Sequence, residues 1–272
     1  MTLSDIEDRF VPPAVDDPAG ARVLEAVTQS MTLAGRGLIR IRHSPHHLFD
    51  VIVLPIVFTV MFSSLFGGAI AGDVGGYLPI LVPGVLVQVV LAASVSTGVQ
   101  LREDMNSGVY DRFASLPIAR IAPLAGSLVA DAVRYAVAAA MTVVVGLIMG
   151  WRPASAVGVV AACLLVAVVA FAISWIFALL GVMLSTASSV QGVSMMVLMP
   201  LTFVSNALVP VATMPGWMQA FAGVNPVSHL VSAVREMSAG VYTAQIVYSL
   251  AGAAIVLMVT VPVTVGRYTR RD

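Results

Sequence analysis

The sequence predicts an all-α integral membrane protein with six transmembrane helices. Three observations predict this. The first is composition: hydrophobic residues make up 59% of the 272 residues and charged residues only 10%, with a mean hydropathy of +0.97. A soluble domain carries roughly 25% charged residues to solvate its surface. The composition therefore excludes a soluble enzyme, a disordered chain and a nucleic-acid binder. The second is the length of the stretches free of Asp, Glu and Arg. The third is the clustering of arginines on alternate connections between those stretches.

A spanning helix needs about 20 apolar residues to cross roughly 30 Å of hydrocarbon. The charge-free windows are 51–72, 74–101, 135–151, 153–234 and 237–266. The fourth holds 82 residues, too many for one span. Residues 185–189, all Ser, Thr or Ala, read as a turn that divides it. A second break runs over 210–226, where Pro215, Gly216, Gly223 and Asn225 interrupt helix. Trp217, Met218 and Phe221 suit the membrane interface. Residues 214–239 therefore read as an interfacial or re-entrant hairpin, whose backbone must be covered by protein or water. The predicted spans lie near 51–71, 78–100, 124–149, 156–184, 192–212 and 243–266.

Residues 1–21 are acidic and proline-containing, lack the basic-then-apolar pattern of a signal peptide, and read as a mobile cytoplasmic tail. Residues 22–272 read as one transmembrane domain. It opens with an N-terminal interfacial helix, because Val23, Val27, Met31 and Leu38 share a face away from Arg22, Glu25, Gln29 and Arg36.

Orientation follows from the arginines. Arg36, Arg40 and Arg42 precede span one; Arg102, Arg112 and Arg120 lie between spans two and three; Arg267, Arg270 and Arg271 close span six. Only Arg152 and Arg235 fall on the other side. The positive-inside rule places both termini and the 101–121 loop in the cytoplasm. The all-Arg, Ala- and Val-rich usage points to a high-GC bacterium, and so to its plasma (inner) membrane.

All 14 basic residues are Arg, with no Lys. A Walker P-loop needs a Lys at the terminal phosphates. No catalytic site is expected in this chain and no cofactor of its own; ATP and Mg would be bound by a partner. Cys163 is the single cysteine and forms no internal disulfide. His43, His46 and His47 lack companion Cys or carboxylate ligands and are interrupted by Pro45, so they read as an interfacial cluster and no metal site is expected. His229 stands alone and reads as structural.

Within the spans, Asp131 and Arg134 share a helical face. Intramembrane charge is expensive and marks function by default; the pair is either part of a proton relay or a self-neutralised structural pair. Met195, Met199, Thr202 and Asn206 follow i, i+4, i+7, i+11 spacing on span five. That face lines a route for an apolar substrate or packs against another helix, since Met adapts to either. Gln88, Ser96 and Thr97 on span two make a weaker case of the same kind.

The 101–120 loop is the most informative stretch. Gly108 and Pro117 bracket a helix of about eight residues, with Val109, Phe113 and Leu116 on one side and Asp111 and Arg112 on the other. Apolar knobs on a short loop helix suit a docking partner; the alternative is a solvated turn, although a turn of this length need not carry Phe and Leu. The segment resembles the coupling helix of ABC transporter type-2 permeases, in particular the daunorubicin/doxorubicin-resistance permease group. Glu103, Gly108, Asp111, Arg112, Leu116, Pro117 and Arg120 carry the resemblance. Residues 54–62 with 66–68, residues 81–84, and residues 199–206 with Pro210, Met214, Pro215, Asn225, Pro226 and Arg235 add three further matches in the same order.

The resemblance implies a type V ABC exporter transmembrane fold with six spans. It implies pairing with a second permease, most simply as a homodimer. A separate ABC ATPase subunit would dock on the coupling helix at 108–117, with Phe113 and Leu116 in its groove and Asp111 and Arg112 fixing register. Spans two and five would face the route. The implied function is the membrane subunit of an ATP-driven exporter of a hydrophobic or amphipathic substrate: a drug, a polyketide or a lipid-like molecule. A stand-alone secondary carrier driven by an ion gradient is the alternative. It would need several buried carboxylates or paired broken helices, and Asp131 alone qualifies.

Overall fold

The computed structural model describes residues 45–107 and 122–269. Among these the chain forms eight α-helices and no strand. They are α1 (Pro45–Ala71), α2 (Val74–Asn106), α3 (Ala122–Ile148), α4 (Ala156–Met183), α5 (Ala187–Phe203), α6 (Gly216–Val224), α7 (Pro226–Ser238) and α8 (Ala244–Thr269). A 3-10 turn, Val211–Thr213, lies between α5 and α6. The predicted tail over 1–21, the amphipathic helix over 22–42 and the loop helix over 108–117 lie outside the described residues.

Helix ends leave backbone groups without intrahelical partners, and hydrocarbon cannot satisfy them. Several of the described connections are short and supply those partners locally. Gly72, at φ +81, turns the chain out of α1. Asp73 then caps α2, its carboxylate accepting from Gly76 N–H at 2.6 Å. Ser155 caps α4 by accepting from Gly158 N–H at 2.9 Å. Thr186 caps α5 by accepting from Ser189 N–H at 3.1 Å. The polar cluster at 185–189 is therefore the start of a helix as much as a turn.

Five of the helices, α1, α2, α3, α4 and α8, are long and apolar enough to cross a membrane. Helix α5 has 17 residues, a rise of about 26 Å against roughly 30 Å of hydrocarbon. The span expected over 192–212 thus starts earlier and stops sooner. The cause is a cap that hydropathy does not register: Asn225 Nδ2 donates to the Leu201 carbonyl at 2.7 Å and takes up the last turn. Helix α2 differs in the other direction. It has 33 residues rather than the expected 78–100 stretch, because a helix continues into water through Arg102, Glu103 and Asp104 without penalty.

Helix α2 is the axis of the bundle. It packs against α1, α3, α4, α5 and α7. Of its apolar stretch 78% is buried, against 17% for α8, which shows its apolar face outward. Close packing around α2 depends on missing side chains. A Cβ on Gly98 would fall 2.1 Å from the Phe177 carbonyl oxygen of α4, and one on Gly181 would fall 2.5 Å from the Gly98 carbonyl oxygen. A Cβ on Gly84 would fall 1.8 Å from the Ala207 carbonyl oxygen. Membrane helices associate through such small-residue contacts because lipid provides no hydrophobic drive between them.

These contacts predict that Gly98→Ala forces α2 and α4 apart, at a cost of about 1–3 kcal/mol. Gly192→Ala, where an added Cβ meets nothing within 4 Å, should be neutral or stabilising by up to about 1 kcal/mol. Denaturant titration in detergent micelles checks this; equal midpoints for the two variants would contradict the packing account.

Candidate functional site

Two sets of buried polar groups stand out in an otherwise apolar bundle. The first joins α2 to α3. Asp131 and Arg134 lie one turn apart on α3, both buried, with an Arg134 Nη2 to Asp131 oxygen distance of 2.8 Å. Thr97 of α2 donates its hydroxyl to the Asp131 carboxylate. Arg134 Nη2 also donates to the Ala93 carbonyl of α2 at 2.7 Å. Tyr135 OH is 3.4 Å from the Thr97 hydroxyl. Arg134 Nε and Nη1 are buried without a hydrogen-bond partner among the described residues.

The geometry is that of a pair that neutralises itself and fastens one helix to another. Asp131 is the single buried carboxylate among the described side chains, so no second acidic group there extends it into a relay. Thr97, one of the weaker route candidates in the sequence, is one of the fastenings.

The second set holds α5 and the α6–α7 hairpin against α2. Asn225, between α6 and α7, works in both directions. Its Oδ1 accepts from Val227 N–H at 2.9 Å, capping α7. Its Nδ2 donates to the Leu201 carbonyl, closing α5. Arg235 of α7 donates from Nη2 to the Ile80 carbonyl of α2 at 3.1 Å and to the Asn206 carbonyl at 3.0 Å. Tyr77 OH of α2 donates to the Leu208 carbonyl at 2.6 Å. The non-helical segment after α5 is therefore held from two sides by side chains, as irregular backbone away from water requires. Sequence reading singled out Asn225 and Arg235 through the family resemblance and missed their mechanical role. The available signal was an Arg at the edge of an apolar run.

The expected face Met195, Met199, Thr202, Asn206 does not exist as one stripe. Helix α5 ends at Phe203, so Asn206 leaves the helical register. Asn206 is buried and donates from Nδ2 to the Ser232 hydroxyl at 2.8 Å. Thr202 is buried and bonds back to the Leu198 carbonyl at 2.9 Å. Met195 is half-buried against the core, and Met199 is exposed. On α2, Ser96 bonds back to the Ala93 carbonyl at 2.7 Å, while Gln88 is buried with neither amide atom partnered.

At the other end of α2, Glu103 is exposed one turn from the helix end. Arg102 Nε donates to the Ser185 carbonyl at 3.0 Å, tying that end to the α4–α5 junction. Gly108, Asp111, Arg112, Phe113, Leu116, Pro117 and Arg120 lie outside the described residues, as does His43. His229 pairs through Nδ1 with Gln245 Oε1 at 2.7 Å and sits edge-on to Tyr248, joining α7 to α8. No group of three or more His, Cys, Asp or Glu able to hold a metal occurs among the described residues.

Five membrane-length helices and buried polar groups that fasten helix to helix define a multi-pass membrane protein. Residues 28–239 match the ABC-2 type transporter family, and the chain belongs to it. It is 42% identical over 233 residues to the daunorubicin resistance ABC transporter permease protein DrrB1 of Streptomyces coeruleorubidus, covering 85% of this chain and 81% of that one. It is 27% identical over 246 residues to a Mycobacterium tuberculosis protein named "Probable doxorubicin resistance ABC transporter permease protein DrrC", covering 88% of each. These relatives are permease subunits, and the family implies an ABC ATPase as partner.

Removing one partner of the buried pair strands the other charge in the bundle. Asp131→Asn or Arg134→Met should each destabilise by about 3–5 kcal/mol, and the double variant by clearly less than the sum of the two. Denaturant midpoints in detergent measure this. Strict additivity would show that the two side chains do not act as a pair.

Proposed function

We propose that this chain is the transmembrane subunit of an ATP-driven exporter, carrying a hydrophobic or amphipathic molecule out of a bacterial cytoplasm. The observation that carries this reading is the 42% identity to a daunorubicin resistance permease, sustained over 85% of the chain. In this reading α5 is the fifth of six spans, shortened because the α6–α7 hairpin fills the membrane thickness beyond its end. Both termini and the 108–121 segment face the cytoplasm. A second permease, most simply another copy of the chain, completes the route. ATP and Mg belong to the partner ATPase.

Coupling would pass through the ends of α2 and α3, which flank the 108–121 segment. The ATPase would grip Phe113 and Leu116, with Asp111 and Arg112 setting the register and Glu103, Gly108, Pro117 and Arg120 shaping the approach. The Thr97, Asp131, Arg134 and Ala93 contacts join α2 to α3, so a push on the segment would move both helices together. Gln88 and the α5 surface at Met195 and Met199 are the candidates for contact with substrate. The class of substrate follows from the relatives, named for resistance to daunorubicin and doxorubicin: drug-like molecules of that kind.

Phe113→Asp places a carboxylate where an apolar groove would have to desolvate it. Cells expressing this variant with the ATPase should retain the permease in the membrane at the normal level yet accumulate daunorubicin as permease-free cells do. Efflux at the wild-type rate would remove the docking role from this loop.

A further inference from the structure

A cavity of ≈ 250 Å³ lies between α2, α4, α5, α7 and α8. Leu91, Phe177, Leu198, Leu230 and Ala253 form its buried walls. Val197 of α5 and Ile255 of α8 also line it, and both are exposed. They mark the mouth, which opens between α5 and α8.

The chemistry of the walls limits the occupant. Apart from backbone, the one polar side chain is Ser249, and its hydroxyl is already committed to the Gln245 carbonyl at 2.9 Å. A buried water needs two to four polar partners, so water gains nothing here. A drug with several polar groups would lose its hydration without replacement. The cavity is larger than the roughly 150 Å³ apolar cavity that accepts benzene. An empty space of this size forfeits the dispersion contacts of its walls. The medium at the mouth is hydrocarbon, because the neighbouring surface of α8 exposes Ile255, Met258 and Val259.

We propose that this cavity binds one acyl chain of a bilayer phospholipid, which enters between α5 and α8. The chain would act as a removable part of the core. It would contact Leu198 and Leu201 on α5, Val227 and Leu230 on α7, and Ala253 and Val256 on α8. The site rests on membrane embedding and on the cavity alone, so it stands or falls separately from the direction of transport and the identity of any exported molecule.

Gly252 supplies the test. It lines the cavity, and a Cβ placed on it meets nothing within 4 Å. Gly252→Phe therefore adds its Cβ without a clash and brings a ring to the cavity wall. The full chain is placed in lipid nanodiscs doped with a phosphatidylcholine bearing a mid-chain diazirine, photolysed, and mapped by mass spectrometry. Adducts are expected to concentrate on 197–201 and 252–256. Gly252→Phe should lose them there and keep the background adducts on the exposed Leu164 of α4. Adducts spread evenly over all exposed helix faces, or an unchanged pattern in the variant, would overturn the proposal.

A second readout covers the case in which the Phe variant folds poorly. Phosphatidylcholine added to protein in detergent should raise the unfolding temperature of the wild type and leave that of Gly252→Leu unmoved. An equal rise in both would overturn the site.

Discussion

Polar groups in this bundle can pair only within the protein, because hydrocarbon offers no partner, and Gln88 and two nitrogens of Arg134 are among the few buried ones left over. Most of the side-chain chemistry is spent on that single constraint. Span hydroxyls bond back to their own helix: Thr59 to the Pro55 carbonyl at 2.7 Å, Thr142 to Ala138 at 2.9 Å, Thr260 to Val256 at 2.7 Å. Where the backbone leaves helix, longer side chains take over. Asn225 closes one helix and opens another, and Arg235 holds two carbonyls from different segments. The buried charge follows the same rule, since Arg134 is answered by Asp131 and by a carbonyl of α2.

These fastenings converge on α2. Glycines let α4 and the segment after α5 approach its backbone, and the two polar sets tie α3 and α7 to it. Helix α2 also ends at the loop to which the family resemblance assigns ATPase docking. A helix gripped along its length transmits a displacement at one end to the elements packed on the other. The elements with the most exposed apolar surface are α8, which packs on α4 and α7 with its other side, and the outer face of α5. The fold thus combines a buried central helix with an apolar, exposed rim.

Much of this was legible in the sequence. Charge-free stretches announce α1, α2, α3 and α8, and the 185–189 break separates α4 within the longest of them, because a membrane filters sequences for length and apolarity before anything else. The Asp131 and Arg134 pair was legible from three-residue spacing, and its self-neutralised form was one of two readings held open. The rest depended on partners far apart in sequence. Nothing near Phe203 states that Asn225 will close its helix. Nothing in the spacing of Met195, Met199, Thr202 and Asn206 reveals that the last of them is off the helix and bound to Ser232. Proline was also an ambiguous signal: Pro55, Pro79, Pro83, Pro200 and Pro262 all lie inside helices, since neighbouring groups in a bundle can compensate for the freed carbonyls.

The central claim is that this chain is moved by an ATPase that it does not itself contain. The most direct measurement is purification of the chain from its native membrane in mild detergent, with every co-purifying protein identified and quantified. The account predicts a Walker-motif ATPase at near-equal stoichiometry. A pure permease assembly with no ATPase, under conditions that preserve its contacts with a second permease, would contradict it.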